Sequence, residues 1–272
     1  MTELQLLLPA MRSLFRYHKI PQSRIASFDV VSIGLKKHHV SALLEFDVTE
    51  GRQKLRELKR KGARVSFNAW MLKLIAKTIE KHREVAAYQV NKRKLISFDD
   101  VNISMIVEKE INRKKVPIPL LIKKSNEKSI EEIALEIDTA RMQVLTGNDI
   151  VLHSKPKLYE RLYYYLPGFI RRMIWNFMLL KPETAFRNMG NVSVTSLGMM
   201  GKINGWFIPV SVHPVSFGIG SIIKKAVVVN NEVKVREILN MTILLDHDVI
   251  DGAPMVRFVN DLCRAIENGE EL

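Results

Sequence analysis

Disulfide bonds are the first thing this chain of 272 residues cannot have, because it contains one cysteine, Cys263, and a lone thiol closes no loop. The expected compartment is therefore reducing. Cys263 itself falls on the apolar side of a predicted C-terminal helix and reads as packing. Also missing is any apolar run near the ~20 residues that a membrane-spanning helix needs. The first sixteen residues place a glutamate ahead of their apolar patch and a proline inside it, which suits a secretory leader poorly. Repeats and low-complexity linkers are lacking, so one domain over 1–272 is expected. Acid is scarce: 29 Asp and Glu stand against 42 Lys and Arg, a formal charge of +13. That excess favours anionic company, whether nucleotide phosphates, nucleic acid or an anionic membrane surface. The basic stretch "RQKLRELKRKGAR" (52–64) lacks the interleaved aromatics of a nucleic-acid module. It reads as one solvated helix face ended by Gly62, so no nucleic-acid partner is expected. No histidine pair has metal-ligand spacing backed by other ligands, so no metal is expected either.

What is present alternates between strand and helix signals. "HHVSALLEFDV" (38–48) reads as a strand, and 49–61 as a helix opened by a threonine cap. Residues 66–81 carry Trp70, Leu74, Lys77 and Thr78 in helical register. Strands are predicted over 94–109 and 114–124, followed by a helix over 129–145 opened by "SIEE", a capping-box pattern. The last third is strand-rich, over 192–195, 215–222, 226–229 and 234–245. Pro254 then starts a helix over 255–267 whose Met255, Val259, Leu262 and Ile266 share a face. Mixed signals of this kind describe an α/β chain of the α+β type.

The stretch "DHDVIDGAP" (246–254) follows an apolar strand. A neutral imidazole at a strand end can take a proton near neutral pH if its tautomer and orientation are fixed, which makes His247 a candidate general base. Gly252 permits a tight turn into the next helix, and the Asp251 carboxylate can brace that turn by pairing with an arginine. The alternative is a solvated polar strand end. Of the other histidines, His38 and His39 read as solvent-facing, and His213 as a loop residue before a proline.

His-x-x-x-Asp-Gly after an apolar strand resembles the signature of the chloramphenicol acetyltransferase-like superfamily, closest to the catalytic domain of dihydrolipoyl acyltransferases of 2-oxo acid dehydrogenase complexes. "VSVTSLGMMG" (192–201) is similar to the family's strand and glycine turn, with Thr195 in the place of the usual serine. "HHVSALLEFDVT", "VSFNAWMLKLIAKTIEKH", "DDVNISMIVE" and "VPIPLLIKKSNEKSIEEIALEI" follow the family in order, so the resemblance covers nearly all of 20–150 and 190–268. It implies a mixed sheet with flanking helices and a homotrimer whose active sites lie between subunits. It also implies CoA-dependent acyl transfer, with coenzyme A as co-substrate and no metal. His247 would be the base, Thr195 the oxyanion donor and Asp251 the third site residue, paired with Arg24 and supported by Gly252. Lys123, Lys124, Ser125 and Lys128 are the expected contacts to the CoA phosphates.

The chain also departs from that family. Asp248 stands where the lipoyl enzymes usually place arginine, and Ser196 where they usually place asparagine, so altered substrate recognition is expected. "EINRKKVPIP" replaces their Gly-rich entry to the CoA-side strand. No lipoyl domain precedes residue 20, and the chain ends "ENGEEL" without an apolar tail. The expectation is a stand-alone trimeric acyltransferase that goes no further in assembly and acts on a free acceptor. A lipoyl domain on another chain is the alternative acceptor, and a non-catalytic trimeric scaffold the alternative role. The sequence names neither the acyl group nor the acceptor. Finally, an insertion over 155–187 combines seven Lys or Arg against two Glu with Tyr163, Tyr164, Tyr165, Phe169, Trp175 and Phe177. Such a segment suits a peripheral membrane contact of a cytoplasmic protein or, equally, a cap on a neighbouring subunit.

Overall fold

The computed structural model of the chain describes residues 17–18, 20, 23–111, 114–142, 162–197, 201 and 203–272. Six strands make the main sheet: β1 (His39–Asp47), β4 (Ile103–Ile111), β5 (Lys114–Ile122), β6 (Val192–Ser196), β7 (Val215–Val229) and β8 (Glu232–Asp246). A separate hairpin joins β2 (Tyr88–Asn91) to β3 (Lys94–Ile96). The order across the sheet is β1-β8-β7-β6-β4-β5. Only β6 runs parallel to its neighbours, β4 and β7.

Register sorts the side chains. Ile122, Ile103, Val192, Val215 and Leu245 lie in one row, and with a period of two the same face collects Leu120, Met105, Val194, Phe217 and Ile243. All are buried in one core. The helices α3 (Phe67–Lys81), α4 (Ile130–Met142) and α7 (Gly252–Glu267) supply the other side of that core through Trp70, Leu74, Ile133, Ile137, Phe258 and Leu262. Central α3 is apolar nearly all round, as a helix enclosed on several sides must be. Its one buried cation, Lys73, donates to the carbonyls of Asn126 (2.9 Å) and Lys128 (2.6 Å), and burial lowers its pKa.

The opposite face of the sheet is polar. Ser193, Thr195, Ser216, Asn240 and Thr242 alternate with the core residues there. Residues 203–213 run across part of it as a strap. Gly218 is what permits the crossing: a Cβ there would stand 2.8 Å from the carbonyl oxygen of Phe207. Beneath the strap, Asn240 Oδ1 and Thr242 Oγ1 are buried without a hydrogen-bond partner.

Several expected boundaries shift for identifiable reasons. The strand expected over 94–109 breaks into β3 and β4, because the side chains of Asn126 and Asn191 accept the Val101 and Asn102 amides and draw the backbone out of the ladder. The strands expected at 215–222 and 226–229 are one, β7, carried through a bulge between Ile219 and Ile222. Thr49 does not cap its helix, α2 (Thr49–Arg60), but is its first residue. Its hydroxyl donates to Asp47 (2.6 Å) and accepts the Glu237 amide (2.8 Å). The capping box at Ser129 is formed, with Ser129 Oγ accepting the Glu132 amide (3.2 Å) and the Glu132 carboxylate accepting the Ser129 amide (2.8 Å).

Candidate functional site

β8 ends in Asp246, which is fully buried and organises the turn after it. One carboxylate oxygen accepts Lys37 Nζ at 2.7 Å, and the other accepts the Asp248 amide at 3.2 Å. Its carbonyl accepts the amides of Val249 and Ile250. His247 therefore sits on a fixed backbone, and its amide donates to the His38 carbonyl at 3.0 Å. The His247 side chain is exposed, and among the described residues nothing in the chain occupies its ring nitrogens. His38 is solvent-facing, as expected, but not idle: its Nδ1 lies 2.9 Å from the Asp248 carboxylate. Together these contacts tie the end of β8 to the lead-in of β1.

Asp246 and Lys37 have no assigned role in the sequence reading. The signal was the polar alternation Asn240, Thr242, Asp246 along an apolar strand, which marks a second face. Asp246→Ala should remove about 1.5–3 kcal/mol of stability, the range for a hydrogen bond to a charged group. The fuller penalty of an orphaned buried charge is avoided because Lys37 keeps 22% of its side-chain exposure and can rehydrate. Thermal unfolding of the variant checks this, and a melting temperature equal to that of the parent would mean the pair does not hold the turn.

Asp251 is the N-cap of α7, exposed and without a side-chain capping bond, and Gly252 begins the helix with open space around it. Arg24 lies on α1 (Ser23–Gly34) with its guanidinium 5.4 Å from the centre of the Phe28 ring. Among the described residues it makes no ion pair with Asp251, so that pairing is not made within the single chain. His213 is buried, donating from Nε2 to the Met189 carbonyl (2.9 Å). Burial brings its pKa down to about 4, and as a neutral ring it belongs to the scaffold of the strap.

Thr195 stands half-exposed on the polar face of β6. It is level with Gly218 of β7 and, through Gly218, with Thr242 of β8. His247 comes five residues after Thr242 and two strands away. At ~3.3 Å per residue along a strand and ~4.8 Å between strands, the two are roughly 19 Å apart in one chain. No single acyl carbonyl could touch both. Ser196 points to the helix side, where its hydroxyl is 3.4 Å from Asn68 Oδ1. Both line a cleft of about 610 Å³ that Ser221 and Lys224 also border.

The turn after β5 carries the basic residues expected to meet CoA. Ser125 is fully buried and its hydroxyl donates to the Ile122 carbonyl (3.1 Å). Lys124 has positive φ (52°) and lies near Asp100 and Glu127. Lys128 is paired with Glu136 at 2.5 Å. Lys123 is exposed, without an acidic partner among the described residues, and borders a cleft of about 360 Å³ together with Asn102 and Arg187. Since Ile122 shares a row with Leu245, this turn is at the same end of the sheet as His247. No group of three His, Cys, Asp or Glu suited to a metal occurs among the described residues. None of the described helices is long and apolar enough to cross a membrane.

Residues 32–148 and 183–272 match the family model of the 2-oxoacid dehydrogenases acyltransferase (catalytic domain). The dihydrolipoyllysine-residue acetyltransferase component of the pyruvate dehydrogenase complex of Mycoplasma genitalium is 25% identical over 213 residues, 77% of this chain and 45% of that protein. The lipoamide acyltransferase component of the branched-chain alpha-keto acid dehydrogenase complex of Bacillus subtilis is 24% identical over 239 residues, 86% of this chain and 47% of the relative. The chain thus spans about half the length of these curated relatives. Among solved structures, a probable dihydrolipoamide acetyltransferase from Listeria monocytogenes superposes with a TM-score of 0.67 at 19% identity, covering 93% of this chain and 95% of the other, a likeness of fold.

Proposed function

Because the chain belongs to the 2-oxoacid dehydrogenases acyltransferase (catalytic domain) family, we propose that it transfers an acyl group between coenzyme A and a nucleophilic acceptor, at sites formed between the subunits of a homotrimer. The acceptor is a free thiol, hydroxyl or amine. His247 of one subunit takes the acceptor's proton as that atom attacks the thioester carbonyl. The carbonyl oxygen becomes an oxyanion, and Thr195 Oγ of a neighbouring subunit donates a hydrogen bond to it. Collapse breaks the carbon–sulfur bond, and the CoA thiolate leaves and recovers the proton from the His247 imidazolium. Asp251 and Gly252 shape the turn behind the histidine. Lys123, with Lys124, Lys128 and the turn at Ser125, meets the CoA phosphates.

The observation that supports the reading is the separation of roughly 19 Å between His247 and Thr195 set by strand register. Two groups that serve one carbonyl must come from different chains. Thr195 stands half-exposed on its face of the sheet, which leaves its hydroxyl within reach of a neighbouring subunit. A second reading places the acceptor on a lipoyl domain carried by another chain, and the names of the relatives favour it.

A panel of acyl-CoA thioesters, each with a small alcohol, an amine, dihydrolipoamide or a lipoyl domain, tests the proposal by release of free CoA thiol. Transfer to a small acceptor supports the first reading, and transfer to the lipoyl domain alone supports the second. No acceptor-dependent thiol release from any thioester would overturn both. Sedimentation should report three chains per particle.

A further inference from the structure

We propose that the outward face of α5 (Gly168–Leu179) is a docking surface for an anionic lipid membrane. The helix is held on the protein by one polar knot. Asp29 of α1 is buried, and its Oδ2 accepts Arg171 Nε at 2.6 Å and the Tyr163 hydroxyl at 2.7 Å. Trp175 Nε1 donates in turn to that hydroxyl at 2.9 Å. Arg171 and Trp175 share one side of the helix, so the knot fixes which side faces out.

The side facing out is apolar. Phe169, Met173 and Phe177 recur every four residues, and Leu180 continues the row just past the helix end, with exposures of 66, 62, 59 and 72%. No residue of α5 is buried. A monomeric surface rarely lines up large apolar groups in this way without a partner. Arg172 flanks the row on one edge. Lys181 flanks it on the other, with its Nζ 4.6 Å from the centre of the Phe177 ring. Between residues 162 and 182 the sequence contains three Lys or Arg and no Asp or Glu. An apolar stripe rimmed by cations fits acyl chains below and anionic headgroups beside them.

A second copy docked face to face on this stripe would bring Arg172 and Lys181 against their own counterparts, so the cationic rim disfavours that occupant. The match to the family model also stops at 148 and resumes at 183, so the segment lies outside the residues that the model matches. The proposal does not depend on the acyl-transfer reading, and it leaves the catalytic residues untouched.

Co-sedimentation of the full chain with phosphatidylcholine vesicles, with and without phosphatidylserine, tests it. Binding is expected with phosphatidylserine at low salt. It should fall about tenfold in half-molar salt, where the Debye length shrinks to a few ångströms. The doubly substituted Phe169→Glu, Phe177→Glu protein should lose binding to a similar degree, with unchanged circular dichroism because both sites are exposed. Arg172→Glu with Lys181→Glu is the independent second variant. A protein that stays in solution with phosphatidylserine vesicles at low salt would overturn the proposal. So would both variants binding as well as the parent. If either variant changes the number of chains per particle, the stripe is a subunit contact and the proposal fails.

Discussion

His247→Ala should lower the rate of CoA thiol release by about 10² to 10⁴-fold, the contribution of a positioned general base, while its melting temperature stays that of the parent. The two halves of this expectation have separate causes. The ring is exposed and has no hydrogen-bond partner among the described residues, so its removal opens no cavity and leaves no buried group unpaired. What fixes the turn is the backbone bond from His247 to His38 together with the Asp246–Lys37 pair, and alanine keeps both. Any loss of rate is then a loss of chemistry. Unimpaired thiol release by the folded variant would remove the histidine from the mechanism.

Thr195→Val is expected to cost about 10² to 10³-fold, the scale for one oxyanion donor, while Thr195→Ser retains most of the rate. Valine matches threonine in shape, and the position is only half-buried on a polar face, so packing of the single chain changes little. The serine variant separates the hydroxyl from the methyl group. Equal rates for the valine and serine variants would mean that the hydroxyl donates to no developing charge. If His247 and Thr195 act on the same transition state, as proposed, the losses in a chain carrying both changes should not add.

The parts of this account that were legible in the sequence are those written in local pattern. The helix of 66–81 was readable because its apolar residues run through helical register after Ser66, whose hydroxyl does accept the Ala69 amide at 3.1 Å. "SIEE" is a capping box in the structure because both partners of that motif lie within four residues. The His247 turn could be placed from the glycine and the apolar run preceding it. Long-range pairings could not be read this way. Lys37 reaches Asp246, and Asp29 reaches Arg171, across most of the chain in each case, and no local periodicity marks such partners. Asn126 and Asn191 break a strand that looked continuous, through contacts 25 and 89 residues away in sequence. The register that separates His247 from Thr195 belongs to the same class, since it needs the order of β6, β7 and β8. A family resemblance implied the shared site. Only strand pairing gives the distance that makes a second chain necessary.

That necessity is the central claim, and subunit complementation measures it. His247→Ala chains and Thr195→Val chains, each nearly inactive alone, are unfolded, mixed in equal amounts and reassembled. If every site lies between two chains, about one quarter of the sites in randomly mixed closed trimers will pair an intact His247 with an intact Thr195. The mixture should therefore regain CoA thiol release far above either parent, approaching a quarter of the unsubstituted protein's rate. A mixture that reassembles into trimers yet stays at the level of the two variants would contradict the account, because it would mean that both residues must be intact in the same chain.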